Sequence, residues 1–274
     1  MYSDLDRPPL QATPLRRALI RTGGFWTDLD LRQRTASTNA DAATAARAGA
    51  AEGLIVVAEG QDAGRGRLDR GWVSPPRAGL TFSVLLRPAG VPMQRWGWLP
   101  LLAGVALARA VSRIGEVEAV LKWPNDLLLG PGRGKAAGLL AEVVSGDALV
   151  LGIGLNVTTR AGELPRADAT SLAIEGAACT DRDTLLKAVL RDLAGDYEVW
   201  RESAGDPDAS GLRAAYRESC DTLGRRVQVD LPAQEALIGE AVDVDTDGRL
   251  VVDPDGGGRP VSVGAGDVVH ARPL

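Results

Sequence analysis

Between residues 117 and 157 the chain passes through four apolar segments, 117–123, 126–129, 136–144 and 148–157, parted only by short turns rich in glycine and proline. That spacing is the pattern of β-hairpins, and it commits the middle of the chain to a sheet of adjacent strands. Other elements flank it. Residues 54–58 are a continuous apolar run with β-branched residues, as in a buried strand, 80–87 also reads as a strand, and 26–31 alternates apolar with polar. Helical spacing marks 10–21, 93–114, 181–200 and 209–220, the first ended by Gly23-Gly24. A further helix is expected to start at Ser37-Thr38-Asn39, whose side chains can cap it, and to run through the alanine-rich 40–48.

From Arg225 onward the character changes to short alternating strands at 227–231, 237–244, 250–252, 261–263 and 267–270, with turns at Asp247-Gly248 and Asp255-Gly256. This pattern predicts a small five-stranded barrel. Five arginines against nine acids give this segment a charge of −4, which argues against nucleic-acid binding there.

Composition excludes several kinds of chemistry. The 274 residues hold one histidine, His270, and two cysteines, Cys179 and Cys220, with a net charge of −5. His-based triads, a zinc cluster and a disulfide framework are therefore all disfavoured, and no metal site of the protein's own is expected. The first ten residues carry Asp4, Asp6, Arg7 and two prolines and do not form a signal peptide. The longest apolar stretch, 99–108, is about half the roughly 20 residues of a membrane span, so a cytoplasmic protein is expected. Only three lysines (Lys122, Lys135, Lys187) and three asparagines (Asn39, Asn125, Asn156) occur, and most of them fall in glycine- or proline-marked segments.

Those segments carry the chemistry. In Gln61 to Trp72, alternating Gly64 and Gly66 permit close backbone approach, and Arg65, Arg67 and Arg70 offer forked donors for carboxylate or phosphate. Lys122-Trp123-Pro124-Asn125-Asp126 ends a strand at a rigid corner. Gly134-Lys135-Ala136-Ala137-Gly138 is not a phosphate-binding P-loop. Only three residues separate Gly130 from Gly134, and Ala136 stands where a magnesium-binding hydroxyl belongs, so a hairpin turn with a lysine at the strand mouth fits better. Gly152-Ile153-Gly154-Leu155-Asn156 lacks the third glycine of a dinucleotide fingerprint and is expected to be a glycine-thinned strand on which a ligand lies flat. Asparagine can read an adenine edge or a cyclic urea, and lysine supplies a compact point charge.

Taken in order, these motifs resemble those of the biotin–protein ligases, over roughly residue 31 to the end. The resemblance implies an α+β fold, with a central mixed β-sheet catalytic domain packed with helices (1–222) and a small C-terminal SH3-like β-barrel (223–274). It implies activation of biotin by ATP, with Mg2+, to biotinyl-5′-AMP. The biotinyl group then passes to a lysine of a biotin carboxyl carrier domain of acyl-CoA or pyruvate carboxylases, with neither nucleic acid nor membrane as partner. Ser37, Thr38, Asn39 and Gln61 would line the biotin side. Gly64, Arg65, Gly66 and Arg67 would form the loop closing over biotin and the acyl phosphate. Trp72, Asn125 and Asn156 would line the nucleotide side, and Gly138 the floor. Lys135 would bridge carboxylate and α-phosphate, acting with Arg67 in catalysis, while Lys122 and Asp126 would rigidify the corner. Some relatives carry an N-terminal winged helix-turn-helix; the 36 residues before Ser37 hold one short helix, so repression is not expected. Lipoate ligation or octanoyl transfer on the same fold, and a DNA-binding regulator using the arginine loop, are the competing readings.

Overall fold

The computed structural model describes residues 7–230, 235–264 and 267–270. In chain order the first half contributes α1 (Ala12–Leu19), β1 (Asp28–Arg32), α2 (Thr38–Arg47), β2 (Leu54–Ala58), β3 (Gly79–Leu86) and α3 (Trp98–Gly115). Strands β4 (Ala119–Lys122), β5 (Asp126–Leu129), β6 (Gly134–Ser145) and β7 (Ala148–Asn156) follow, then α4 (Arg182–Glu202) and α5 (Leu212–Ser219). The last part adds β8 (Arg226–Asp230), β9 (Leu237–Val244), β10 (Leu250–Pro254), β11 (Val261–Val263) and β12 (Asp267–His270). The side chain of His270 lies outside the described residues.

The first seven strands form one sheet in the order β1-β2-β3-β7-β6-β5-β4. Only β1 and β2 run parallel, so the sheet is mixed as expected. Its β4-to-β7 half is the hairpin run of the sequence. The two-residue period of a strand sorts this sheet into two faces. Leu149, Leu151, Ile153 and Leu155 of β7 join Leu80, Phe82 and Val84 of β3 in the large core under α3 and α4. Ala148 and Val150 face the other way, with Leu85, against Ala42 and Ala46 of α2. Further along that second face the same alternation presents Gly152, Gly154 and Asn156, with only the first turn of α2, at Asn39, reaching Gly152. A sheet face stripped of side chains and left open is where the cavity forms.

The helix expected over 93–114 begins as a 3-10 turn, Met93–Gly97, before α3 proper. Gly97 is the reason: a Cβ there would lie 2.5 Å from the Asp247 carbonyl, so the C-terminal domain's turn packs on the backbone at the junction. The stretch Met93–Gly115 is longer than the apolar run read from sequence and has the length and composition of a membrane span. It is nonetheless a core helix, with Trp98, Leu99, Leu102 and Leu107 fully buried. The final five strands form an antiparallel sheet in the order β11-β10-β9-β8-β12. This is the small antiparallel C-terminal domain expected from the sequence, and among the described residues no pairing joins its two edges.

It is docked firmly. Trp98 Nε1 donates to Thr246 O at 3.0 Å and Trp123 Nε1 to Gly248 O at 3.2 Å. Arg213 and Arg217 of α5 both reach Asp243, at 2.8 and 2.6 Å. Burial pushes the Asp243 carboxyl up, but bonds from Arg217, the Val244 N–H and Arg213 outweigh it and bring the group down to about 2.

Candidate active site

One cavity lies on the open face of the sheet, and every predicted site residue except Gly64 lines it. Gly64 sits behind the wall. A Cβ there would stand 2.5 Å from Trp72 O and 2.6 Å from Gln61 Nε2, so its glycine is needed for packing the loop. The floor is Gly138, Gly152 and Gly154, with Gly138 and Gly154 directly opposed in the β6–β7 register. A side chain at Gly152 would collide with Asn39 Oδ1, and one at Gly154 with the Trp72 indole, which lies over the thinned strand. Trp72 Nε1 is buried against Gly154 and has no hydrogen-bond partner among the described residues.

At one end, Ser37 caps α2 by accepting from Ala40 N at 3.4 Å and also lines the cavity, so the two roles expected of it coincide. Thr38 donates its backbone N–H to Gln61 Oε1 at 2.7 Å and its hydroxyl to the same oxygen at 3.1 Å. Ser83, wholly buried on β3, stands 2.6 Å from Asn39 Oδ1 and 2.8 Å from Thr38 Oγ1. Its single proton can go to Asn39, leaving Thr38 to donate to Gln61. Asn39 Nδ2 in turn donates to Glu142 Oε2 at 2.6 Å and to Leu140 O at 3.3 Å. Sequence reasoning missed Ser83 and Glu142. The signal was there, since Ser83 and Thr81 are the two hydroxyl residues on the mainly apolar 80–86 stretch.

The other end is cationic. Arg65, Arg67, Arg70, Lys135 and Arg166 line the cavity, against the carboxylate of Asp126 alone among the described residues. In a chain with a net charge of −5 this concentration of positive charge is a local exception. The 61–72 segment is held by its own backbone bonds among others. Gly66 N donates to Arg70 O at 2.6 Å and Trp72 N to Gly64 O at 2.8 Å, forming a small hairpin around a 3-10 turn at Arg67–Asp69. Lys135 Nζ lies 2.6 Å from Asp126 Oδ1 in an ion pair without hydrogen-bond geometry, so Asp126 belongs to the charged end as well as to the corner. Burial lowers the pKa of Arg67, opposed by Asp126 and reinforced by Arg70. Lys122 lines none of this cavity; burial lowers its pKa too, with Asp126 opposing.

The three asparagines line the cavity and also hold its walls. Each has its Nδ2 committed to a backbone carbonyl of another segment: Asn39 to Leu140, Asn125 to Leu139 at 2.9 Å and Asn156 to Thr170 at 3.0 Å. They tie the cavity walls together. Asn125 Oδ1 also accepts a long 3.5 Å bond from Arg67. Pro165, Arg166 and Ala169, from the loop between β7 and α4, complete the lining and were not anticipated. That loop is sewn to β6 by Lys135 N to Asp168 O at 2.8 Å and Thr170 N to Lys135 O at 2.9 Å. Such pairings join positions distant in sequence and leave no local signature. Neither cysteine lines the cavity, and among the described residues no three His, Cys, Asp or Glu side chains cluster as for a metal.

Comparison with known proteins agrees with this architecture. Residues 32–157 match the biotin/lipoate A/B protein ligase family and residues 222–271 the biotin protein ligase C-terminal domain. The chain is 46% identical over 273 residues, 98% of each chain, to the biotin--[acetyl-CoA-carboxylase] ligase of Mycobacterium tuberculosis. It is 31% identical to the bifunctional ligase/repressor BirA of Escherichia coli, over 74% of this chain and 63% of that protein. Among solved structures, the biotin protein ligase of Aquifex aeolicus in complex with biotin and ATP superposes with a TM-score of 0.74 at 27% identity, covering 90% of this chain and all of that one. The Leishmania major biotin protein ligase in complex with biotinyl-5-AMP matches with a TM-score of 0.58 at 25% identity, over 87% of this chain and 99% of the other.

Proposed function

The chain belongs to the biotin protein ligase family, and on that premise we propose that it joins biotin to ATP as biotinyl-5′-AMP and passes the biotinyl group to a lysine of a carboxylase carrier domain. The observation that carries this reading is the two-ended cavity: a neutral, hydrogen-bonded end and a cationic end sharing one glycine floor. A carboxylate meeting an α-phosphate brings two anions together, and the protein's task is to position them and offset their charge. Thr38 and Gln61, braced by Asn39 and Ser83, suit a cyclic urea. Lys135 has a compact charge on a flexible stem and an existing carboxylate partner in Asp126. It exchanges that partner for the substrate oxygens, with Arg65 and Arg67 closing from the hairpin. Trp72 and Asn156 border the nucleotide side.

Magnesium enters this proposal only as the ion that accompanies the nucleotide's phosphates. The described residues build no cage for it, and no step here depends on one. The carrier domain of acetyl-CoA carboxylase is the proposed acceptor by analogy with the named relative, with pyruvate carboxylase as a further candidate. An octanoyl transfer through a cysteine lacks a nucleophile in the cavity.

Thermal-shift measurements with biotin, lipoate and octanoate, each with and without MgATP, test the assignment. Biotin with MgATP is expected to give the largest stabilisation, accompanied by pyrophosphate release. A larger response to lipoate or octanoate overturns it.

A further inference from the structure

Arg7 is an arginine in a polar, proline-rich opening segment, yet it is only 6% exposed. Its guanidinium makes a forked pair with Glu163, Nη1 to Oε1 at 3.2 Å and Nη2 to Oε2 at 2.6 Å, and Nη2 also donates to Thr158 O at 2.9 Å. Glu163 Oε2 accepts from Arg160 N at 2.8 Å as well. One cation therefore fastens both ends of the turn that opens the β7–α4 loop. A buried fork of this kind is specific in geometry, and removing one partner strands the other charge.

The segment after Arg7 is tied down just as closely. Pro8 O accepts from Arg182 Nη2 at 2.6 Å, and Leu10 N donates to Glu59 Oε1 at 2.5 Å. Glu59 and Arg182 form their own buried ion pair at 2.5 Å. None of residues 7–11 lines the cavity on the open sheet face. The loop it holds does. Beyond Glu163 the loop is exposed at 165–168, and it supplies Pro165, Arg166 and Ala169 to the cationic end. Its far side is fixed by Asn156 and Lys135, and its near side by Arg7.

We propose that Arg7 is a positioning residue for the nucleotide side of the active site, acting through Glu163 on the loop that carries Arg166. This rests on the ligase reading above, in which the cationic end receives ATP. The N-terminal strap then sets nucleotide affinity without contacting the nucleotide, and leaves the Thr38–Gln61 end untouched.

The test is pyrophosphate release by the full chain, with ATP and biotin varied separately, in Arg7→Ala, Arg7→Lys and Glu163→Gln. Arg7→Ala and Glu163→Gln are expected to raise the KM for ATP about tenfold, the worth of one charge-assisted hydrogen bond, while kcat and the KM for biotin stay as in wild type. Arg7→Lys, which keeps the charge and loses the fork, should fall between. If Arg7→Ala does not fold, Glu163→Gln decides, because its amide still fills the site without leaving a bare carboxylate. An unchanged KM for ATP in a folded variant, or equal losses for ATP and biotin, overturns the inference alone. Absence of pyrophosphate release in the wild-type chain overturns the ligase reading, and the inference with it.

Discussion

At one end of the cavity Thr38, Asn39 and Ser83 are each less than a tenth exposed and hold one another and Gln61 through side-chain hydrogen bonds. At the other end Arg65, Arg70 and Arg166 are exposed, and their segments are held by backbone bonds, the Lys135–Asp126 pair and the distant Arg7 fork. The contrast follows from what each end must recognise. A neutral ring with fixed donors and acceptors is bound best by groups that are already oriented, since a buried polar group left unpaired is costly. Reacting anions need concentrated positive charge, and the arginine forks together with Lys135, whose carboxylate partner Asp126 is exchangeable, supply it.

The comparison breaks most directly at Lys135. If the chemistry lives at the charged end, Lys135→Ala should lower adenylate formation by about two to three orders of magnitude, as loss of an electrostatic stabiliser does, with biotin binding and thermal unfolding close to wild type. Pyrophosphate release near the wild-type rate would remove the lysine from the mechanism. The rigid end is tested at Gly152, where a Cβ would collide with Asn39 Oδ1. Overpacking of about 1–3 kcal/mol predicts about a ten- to hundredfold loss of biotin affinity for Gly152→Ala by calorimetry, with ATP affinity preserved. If ATP affinity falls equally, the two ends are not independent. The smallest effect concerns the hairpin. Arg65, Arg67 and Arg70 are trypsin sites on a segment held mainly by its own backbone bonds, and charge-assisted bonds of about 1.5–3 kcal/mol each would tighten it. Cleavage should therefore slow about tenfold with biotin and ATP present. Equal rates would show the hairpin to be as fixed as the Thr38–Gln61 end.

Much of the scaffold is legible in the chain because its cues are local. Ser37 and Asp181 act as helix caps where their side chains suggest it, and β2, β5, β9 and β11 begin and end where their apolar or alternating patterns do. The misses come from a side-chain turn that displaces a helix start and from a contact distant in sequence. The helix expected from 209 starts at Leu212, because Asp206 Oδ1 accepts from the N–H groups of Asp208 and Ala209 and holds a turn that ends at Gly211, with φ +75°. The Gly97 junction depends on a loop some 150 residues further along the chain.

For the site, the chain alone identified which residues gather. Its glycines, its three asparagines and Lys135 stand out as rare or conformationally special residues, and all but Gly64 among those expected line the cavity. What each polar atom does was decided only by the tertiary structure. The asparagines brace walls, Ser83 and Glu142 hold Asn39 in orientation, Asp126 partners Lys135, and Arg7 reaches Glu163 from 156 residues away. Strand alternation and capping are set by neighbours along the backbone, so they can be read in order. A hydrogen bond's partner is set by which strands lie side by side, and that follows from burying the whole core at once.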